Sequence, residues 1–488
     1  MSARTVILAL DQGTTSSRAV VVDRGGRIVA SAQREVGHSY PRPGWVEQDA
    51  FEIWTAQRDT AREALERSPY SAAEVAAVAI ANQRETTIVW ERAGGLPVAP
   101  AIVWQDRRTA DECRELRVAG HEPFVRERTG LVFDPYFSAT KLRWILGHID
   151  DGVARARRGE LAFGTVDSWL VWNLSGGRLH VTDATNASRT LLYDIHTGTW
   201  DEELLALFGV PRAVLPELVD TSGVIGETQA SFLGEPLPIA ALCGDQQAAL
   251  FGQGCDAPGL AKVTYGTGCF LLAHSGAQPV ASPSRLLSTV ALQRGGRRTF
   301  ALEGSAFVGG AAIGWLRDSL GVLRSAGESG ELARRVEAGA PYWDPHARGA
   351  FLGLTLASTP AHLARAVLEG IAFQVADLVA AIADSGLELV ELRADGGASV
   401  NDVLLQFQAD ILGIPVARAA EPECTALGAA GLAGLAVGLW RDAAEVHALL
   451  RPARRFAPDP ACDRAALLAR WRRAVAAVRE FAAGEGGR

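Results

Sequence analysis

The chain has 488 residues, too many for a single hydrophobic core, so the sequence predicts two domains. Lys plus Arg number 48 and Asp plus Glu number 56, which gives a formal net charge of −8 and argues against a protein that binds nucleic acid or an anionic membrane surface. The first apolar run stops at Asp11, which is too early for a signal peptide. The longest uncharged run, 424–440, is shorter than the roughly 20 residues of a membrane-spanning helix. We therefore expect a cytoplasmic protein without membrane insertion.

The first half of the chain has the pattern of an α/β fold. Between its first two apolar runs lies a polar turn that carries Asp11, Gly13 and four hydroxyl side chains. Apolar residues at helical spacing follow, with Asp49 as a candidate N-cap. The predicted elements are strands over 4–10 and 18–23, a helix over 49–67, and buried strands over 75–81 and 101–104.

The second half repeats the opening pattern. At 266–268 an apolar strand runs into a Gly-Thr-Gly turn and another apolar strand leaves it, as around Gly13. The elements predicted after this turn are a strand over 298–307, helices over 311–320 and 361–382, a strand over 389–397 and a helix from Asn401. This order indicates a duplicated α/β domain, with residues 1–250 in one lobe and 251–488 in the other. A cleft between two such lobes is a natural ligand site.

The two polar turns have the composition of phosphate-binding loops. Glycine lets the backbone approach a ligand closely, and N–H groups with Thr and Ser hydroxyls supply donors. Asp11, at the end of the incoming strand, can hold a hydrated Mg²⁺ beside a phosphate. A P-loop is excluded because neither Lys141 nor Lys262 follows a glycine. Either turn alone is better explained as a plain hairpin, but two at matching places favour one nucleotide shared between the lobes.

A third glycine-containing stretch is ADGGASVND, 394–402. A strand ends at Asp395, Gly396 and Gly397 turn the chain, and Asn401 or Asp402 caps the next helix. The glycine pair lets a base or a ribose lie against the backbone. An ordinary strand-to-helix turn explains the same residues equally well.

Asp245 is the candidate general base. It lies just before the predicted lobe boundary, where a carboxylate on the floor of a cleft can take a proton from a substrate hydroxyl. Phosphoryl transfer otherwise needs mainly positioning and charge stabilisation. The alternative is that Asp245 is a helix N-cap, and it can serve both purposes.

Four residues suggest a pocket for a small polyol. Arg84 and Glu85 are adjacent, so they face opposite ways in a strand but can both reach a ligand from a loop. Trp104 and Tyr136 add aromatic faces for carbon atoms. Singly, each is better explained as a surface ion pair or a core aromatic residue; together they describe a pocket.

Longer motifs identify a family. The chain resembles the FGGY carbohydrate kinases from about Thr5 to Trp440. The motifs that carry the resemblance are ALDQGTTSSRAV, YPRPGWVEQD, IANQRETT, AIVWQDRRT, TGLVFDPYFSATK, TDATNASRT, GDQQAALFGQ, TYGTGCF and TALGAAGLAGLAVG. The resemblance implies a two-lobed actin-like ATPase fold of duplicated ribonuclease H-like domains that close on ATP and substrate. It further implies phosphorylation of glycerol to sn-glycerol 3-phosphate, and a homo-oligomer, either a dimer or a tetramer.

The resemblance also implies roles by position. Asp245 would be the general base and Asp11 would serve Mg²⁺. The residues implied for glycerol are Arg84, Glu85, Tyr136, Asp245 and Gln246, with Trp104 and Phe270 along its carbons. The residues implied for ATP are Thr14, Thr15, Ser16, Arg18, Thr267 and Gly310 at the phosphates, and Gly397 and Asn401 at the adenosine end.

Three departures from the family pattern stand out. Gly314 occupies a position where family members usually carry Gln, so one nucleotide contact is lost. The loop 226–238 lacks the regulatory residues of some relatives. The segment before Gly339 is shorter than in similar proteins, which motivates the alternative of a non-catalytic member that binds nucleotide. A kinase for another small polyol or ketose is the nearest alternative among enzymes.

Overall fold

A six-stranded sheet forms the centre of the first half of the chain. The computed structural model describes residues 4–306, 309–319, 321, 325, 328–329 and 350–483. The strands of this sheet are β1 (Val6–Gln12), β2 (Ser16–Asp23), β3 (Ile28–Glu35), β4 (Val75–Asn82), β5 (Ser222–Glu227) and β6 (Pro238–Gly244). In space their order is β5-β6-β4-β1-β2-β3. The strands β1, β2 and β3 are antiparallel neighbours, whereas β4 runs parallel to both β1 and β6.

A seven-stranded sheet forms the centre of the second half. Its strands are β7 (Leu260–Tyr265), β8 (Cys269–Gly276), β9 (Leu287–Arg294), β10 (Arg297–Ala306), β11 (Glu391–Asp395), β12 (Val416–Arg418) and β13 (Arg454–Phe456). Their spatial order is β9-β10-β8-β7-β11-β12-β13. Here too an antiparallel set, β10-β8-β7, continues into two parallel strands, β11 and β12. Both halves therefore share one topology, and the predicted duplicated α/β fold is confirmed.

The sequence pattern explains why these strands lie at the centre. All eight residues of β4 are buried, as expected for a continuous apolar run in a strand that pairs in parallel on both sides. Two-stranded pairs elsewhere join Glu47–Gln48 to Ala101–Ile102, Ile88–Glu91 to Leu161–Gly164, Val181–Asp183 to Glu217–Val219, and Tyr193–Asp194 to Thr199–Trp200. The strand predicted over 101–104 is thus only two residues long.

Helices cover the sheets. In the first half they are α1 (Ala50–Arg67), α2 (Ala110–Val118), α3 (Glu122–Thr129), α4 (Ser138–His148), α5 (Gly152–Arg157), α6 (Val166–Leu174), α7 (Ala184–Ala187), α8 (Glu202–Phe208) and α9 (Asp245–Gly252). In the second half they are α10 (Gly310–Asp318), α11 (Pro360–Asp384), α12 (Asp402–Leu412), α13 (Cys424–Ala436), α14 (Ala443–Leu449) and α15 (Arg464–Ala483). Asp49 caps α1 as predicted, accepting a hydrogen bond from the Phe51 N–H at 2.8 Å.

Helix α13 packs against α9 and the first sheet, although it follows six of the seven second-half strands in sequence. Its closest approach is made through glycine: a Cβ on Gly428 would lie 1.9 Å from the carbonyl oxygen of Ala248, and one on Gly252 would lie 2.4 Å from that of Cys424. Most of the uncharged run at 424–440, from Cys424 to Ala436, is therefore a buried helix that packs through small residues, as the sequence indicated.

Helix α11 is the one described helix that is long and apolar enough to cross a membrane. Half of its most apolar stretch is buried, and residues such as Leu368, Ile371 and Phe373 belong to the core of the second sheet. These contacts are those of a core helix. The shortened segment before Gly339 lies outside the described residues.

Candidate functional site

A single tryptophan, Trp104, contacts both hairpins that carry the glycine turns, and the region between these hairpins is called the cleft below. In the first turn, the Gly13 N–H donates to the carbonyl oxygen of Ser16 at 3.0 Å. Trp104 donates its indole N–H to the Thr14 hydroxyl at 2.9 Å. The same indole meets the ring of Phe270, which follows the second turn, edge to face at a centroid distance of 6.3 Å. Residues on matching hairpins of the two halves are therefore brought together.

Asp245 lies on the floor of this cleft. It is the first residue of α9, and Gly244, not Asp245, occupies the N-cap position. One carboxylate oxygen accepts from the Gln246 N–H at 2.7 Å and lies 3.4 Å from Nε of Arg84. The side chain keeps 27% of its exposure, so a ligand can reach it. A carboxylate that is accessible and held beside a guanidinium group has the position that a general base requires.

Arg84 is buried and held by a glutamate from the other half of the chain. Its Nη1 and Nη2 donate to the two carboxylate oxygens of Glu303, on β10, at 2.7 and 2.9 Å. Nη1 also donates to Oε1 of Gln247 at 3.2 Å, and Nη2 lies 3.4 Å from the Tyr136 hydroxyl. The bidentate contact with Glu303 fixes both the position and the plane of the Arg84 guanidinium group.

A second buried arginine completes the ion network. Arg189 donates to Glu85 at 2.6 Å and to Glu303 at 2.9 Å. Burial alone would raise the pKa of Glu303, but Arg189 and Arg84 outweigh burial and lower this pKa to about 2. Two arginines and two glutamates thus pair their charges within one buried network, in which Nη1 of Arg189 has no hydrogen-bond partner.

Glu85 adopts an unusual backbone conformation. It lies in the loop after β4 with φ of 63°, in the left-handed region that non-glycine residues seldom occupy. Its carbonyl oxygen accepts from the hydroxyls of Ser138 and Thr87 at 3.0 and 3.1 Å, which holds the loop in place. Because the chain leaves the strand here, Arg84 and Glu85 both take part in the same buried network. The loop is as expected, and that both side chains reach a polyol from it stays a prediction.

Three aromatic rings line the opposite side of the cleft. Trp104 contacts Tyr136 edge to face at 5.5 Å between centroids and Phe270 at 6.3 Å. Burial raises the pKa of the Tyr136 hydroxyl, so it stays protonated and can donate to a ligand. Apolar faces opposite a guanidinium and two carboxylates suit a molecule with both carbon-bound hydrogens and hydroxyls.

Asp11 is the penultimate residue of β1, is half-buried and lies near Asp245. Burial, and then the nearby carboxylate of Asp245, raise the pKa of Asp11 from 3.8 to about 7, against the opposing effect of Arg18. Two carboxylates this close favour a cation between or beside them. Among the described residues, no three His, Cys, Asp or Glu side chains form a metal-binding group, so ligands from elsewhere would have to complete a site for Mg²⁺.

The first-half residues expected at the phosphates surround the first turn. Thr15 is exposed at its tip, and the Ser16 hydroxyl accepts from Gln33 at 2.9 Å. Arg18, which pairs with Asp11 across β1 and β2, donates to Gln33 at 2.6 Å and forms an ion pair with Glu423, just before α13.

The second-half residues surround the second turn. Thr267 is exposed at its tip, and the N–H of Gly310, at the start of α10, donates to the Gly266 carbonyl at 2.8 Å. Gly397 is exposed, and a Cβ there would meet nothing within 4 Å, which leaves room for a ligand. Asn401 caps α12 with its side-chain oxygen, at 3.0 Å from the Val403 N–H.

Sequence reasoning missed three buried charges at this site: Arg189, Glu303 and Lys262. Lys262 donates its ammonium protons to the side-chain oxygen of Gln246 and to the Thr264 hydroxyl, the latter at 2.8 Å. Burial lowers the pKa of Lys262, with Asp395 and Asp245 opposing. The available signal was a charged residue within an apolar strand, which Glu303 and Lys262 both show.

The chain matches known carbohydrate kinases over most of its length. Residues 6–252 match the N-terminal domain of the FGGY family of carbohydrate kinases, and residues 261–437 match its C-terminal domain. Glycerol kinase from Dechloromonas aromatica (strain RCB) is 57% identical over 484 residues, 96% of each chain.

Solved structures agree with this similarity. The crystal structure of Plasmodium falciparum glycerol kinase with ADP superposes with a TM-score of 0.89 at 31% identity, covering 100% of this chain and 99% of that one. Xylulose kinase from Rhodospirillum rubrum superposes with a TM-score of 0.87 at 27% identity, covering 98% of this chain and 99% of that one. The shape is therefore common to kinases of different substrates.

Proposed function

The chain belongs to the FGGY family of carbohydrate kinases, and from this premise we propose that it transfers the γ-phosphoryl group of ATP to glycerol, giving sn-glycerol 3-phosphate and ADP. The observation that carries the proposal is the cleft floor, where Asp245 lies 3.4 Å from the buried guanidinium of Arg84, opposite the rings of Trp104 and Phe270. This is a small polar site with an apolar wall, suited to a three-carbon polyol.

The proposed mechanism assigns the proton transfer to Asp245. Its Oδ2, which accepts only a long hydrogen bond of 3.3 Å from the Gln246 side-chain amide, takes a proton from a glycerol hydroxyl as the oxygen of that hydroxyl attacks the γ-phosphorus. The β-phosphate oxygen leaves with the electron pair of the broken P–O bond as ADP. Arg84 and Glu85 orient the polyol, because their positions are fixed by Glu303 and Arg189. Orientation is the larger part of catalysis in phosphoryl transfer.

We assign the phosphates to the two turns. The hydroxyls of Thr14, Thr15 and Ser16 and the hydroxyl of Thr267 provide donors from opposite lobes, with Arg18 and Gly310 beside them. Gly397 and Asn401 are proposed for the adenosine end, where the backbone of Gly397 is open.

Mg²⁺ fits the acidic end of this site. Asp11 would hold the ion, because Mg²⁺ prefers oxygen ligands and the carboxylate of Asp11 lies near that of Asp245. Phosphate oxygens and water molecules would supply the remaining ligands. When bound, the ion neutralises charge on the transferring phosphoryl group. The backbone of Asp11 is fixed near the end of β1 by its pairing with Arg18 on β2 and Ala81 on β4.

The main alternative is a kinase for another small polyol or ketose. Fold similarity does not decide it, because the xylulose kinase and glycerol kinase structures superpose almost equally well. The 57% identity to a glycerol kinase favours glycerol. A non-catalytic role is the second alternative, motivated by the short segment before Gly339.

A substrate panel separates these alternatives. Purified protein is mixed with Mg²⁺ and ATP, and ADP release is followed with glycerol, xylulose, gluconate or no acceptor. We expect ADP release that depends on glycerol and is absent from Asp245→Asn. Faster release with a ketose would support the first alternative, and binding of ATP and glycerol without ADP release would support the second.

Three further assignments complete the proposal. We propose that residues 1–250 form the lobe with the glycerol pocket and 251–488 the lobe with the adenosine site. We propose a cytoplasmic enzyme without membrane insertion that assembles as a dimer or a tetramer. Light scattering on the purified protein tests the assembly.

A further inference from the structure

Glu303 is a buried glutamate of the second half, and the hydrogen bonds that its carboxylate accepts among the described residues all come from the first half. It lies on β10, a strand otherwise rich in apolar residues, and its side chain has no exposed surface. Both carboxylate oxygens accept from Arg84, at 2.7 and 2.9 Å, and one also accepts from Arg189 at 2.9 Å. We propose that Glu303 is a positioning residue that fixes the glycerol-binding pair Arg84 and Glu85 from the opposite lobe, an inference that rests on the proposed function.

The charges of the network explain why Glu303 is needed. Arg84 and Arg189 carry two positive charges, and Glu85 and Glu303 carry two negative charges, so the four buried groups sum to zero. Without the charge of Glu303, one buried guanidinium loses its counter-ion. A buried charge that loses its partner moves to another partner if one is in reach.

For Arg84 that other partner is the base itself. Its Nε already lies 3.4 Å from Asp245 and 3.9 Å from Glu85, so both carboxylates are within a small rotation of the guanidinium group. Glu303 holds Nη1 and Nη2 on the opposite side of the group. Losing this hold lets Arg84 turn toward Asp245, where it occupies the place of the substrate hydroxyl.

Arg189 transmits the same effect to Glu85. Its Nε donates to Glu85 and its Nη2 to Glu303, so one guanidinium spans the two glutamates. The Cζ atom of Arg189 lies 5.3 Å from the centroid of the Phe137 ring, and this cation–π contact restricts the movement of the side chain. The left-handed backbone of Glu85 is therefore supported, through Arg189, by the other half of the chain.

The position of Glu303 has a consequence for the lobes. The residues proposed to hold glycerol come mainly from the first half, and Arg84 among them is held from both halves, by Gln247 and Tyr136 of the first and by Glu303 of the second. The bidentate contact with Glu303 therefore makes the orientation of Arg84 depend on the second sheet as well as on its own half.

The chain offers a closely matched control. Glu122 likewise accepts from two arginines, Arg117 at 2.8 Å from the first half and Arg285 at 2.8 Å from the second. Its side chain is 17% exposed, and its two partners are outside the glycerol-binding set. Glu122→Gln removes the same charge and the same kind of contact between the halves, without touching Arg84 or Glu85.

The experiment measures KM for glycerol, KM for ATP and kcat in Glu303→Gln, Glu303→Asp and Glu122→Gln. Misplacement of a binding group by about 1 Å lowers the rate by roughly 100-fold, so kcat/KM for glycerol should fall about 100-fold in Glu303→Gln while KM for ATP changes by less than about threefold. Glu303→Asp keeps the charge on a shorter side chain and should lose about tenfold. Glu122→Gln should leave both KM values unchanged.

The outcomes separate the two proposals. If the unchanged protein does not release ADP with glycerol, the proposed function fails. If it does, but Glu303→Gln or Glu303→Asp keeps the kcat/KM for glycerol of the unchanged protein, the positioning role is overturned and the proposed function stands. Should Glu303→Gln not fold, Glu303→Asp decides alone. An equal rise of both KM values in the Glu303 variants would also overturn the proposal, because it indicates general loosening of the fold.

Discussion

Replacing Asp245 with asparagine should abolish most turnover while leaving the site intact. The asparagine carbonyl oxygen can still accept from the Gln246 N–H, which now donates to Asp245 at 2.7 Å. Arg84 keeps its two contacts with Glu303, so the pocket has no reason to rearrange. The variant therefore removes the proton acceptor and little else, which makes the loss of rate a measure of base catalysis.

The expected loss can be stated as a free energy. General-base catalysis contributes about 10²- to 10⁴-fold to the rate. At about 1.36 kcal/mol for each tenfold change, this raises the activation free energy by roughly 2.7–5.4 kcal/mol. The upper part of the range is expected, because Asp245 is the accessible carboxylate next to Arg84, whereas Glu85 is buried and paired with Arg189.

The assay couples ADP release to NADH oxidation at saturating glycerol and ATP. Calorimetry with ATP and a thermal melt serve as controls for nucleotide binding and folding, and both should match the unchanged protein within error. A kcat for Asp245→Asn within about tenfold of the unchanged enzyme, below the contribution of a general base, would refute the assignment of Asp245 as base.

Three other predictions concern the aromatic wall, the helix contact and the acidic end. Trp104→Ala should raise KM for glycerol by about tenfold or more, because it removes a large apolar surface from the pocket; an unchanged KM in the coupled assay would contradict this. Gly428→Ala should lower stability by about 1–3 kcal/mol in denaturant titrations, because its Cβ would lie 1.9 Å from the Ala248 carbonyl, whereas Gly147→Ala, in a helix with nothing within 4 Å, should not; equal effects would refute the packing argument. The raised pKa means that Asp11 binds its proton more tightly in the folded protein than in the unfolded chain, so protonated Asp11 stabilises the fold fully below pH 3.8 and this stabilisation is lost as pH rises through about 7. Asp11→Asn should therefore flatten this part of the plot of melting temperature against pH, and parallel plots for the two proteins would contradict the raised pKa of Asp11.

Much of the fold was predictable because its signals are local. Runs of alternating or continuous apolar residues marked β1, β2 and β4, and an aspartate before a periodic stretch marked the start of α1. The repeated glycine turn indicated the duplication that the two sheets now show. The strand predicted over 101–104 is shorter than expected, since only Ala101 and Ile102 find pairing partners.

The candidate site was only partly predictable because its contacts are between residues distant in sequence. Arg84 and Glu85 were recognisable as an adjacent pair, but Glu303 lies more than 200 positions away and carries no local pattern that points to Arg84. Arg189 occurs in a motif that supported the family resemblance, yet nothing in its neighbours indicates that it reaches Glu85. Ion pairs across two lobes depend on tertiary structure, which a linear pattern does not contain.

The most direct test of the central claim is ADP release by the purified protein with ATP and Mg²⁺, measured in parallel with and without glycerol. The account predicts that ADP forms rapidly with glycerol, that sn-glycerol 3-phosphate accumulates in equal amount, and that ADP stays near background without an acceptor. ADP release at the same rate in both samples, or no release in either, would contradict it.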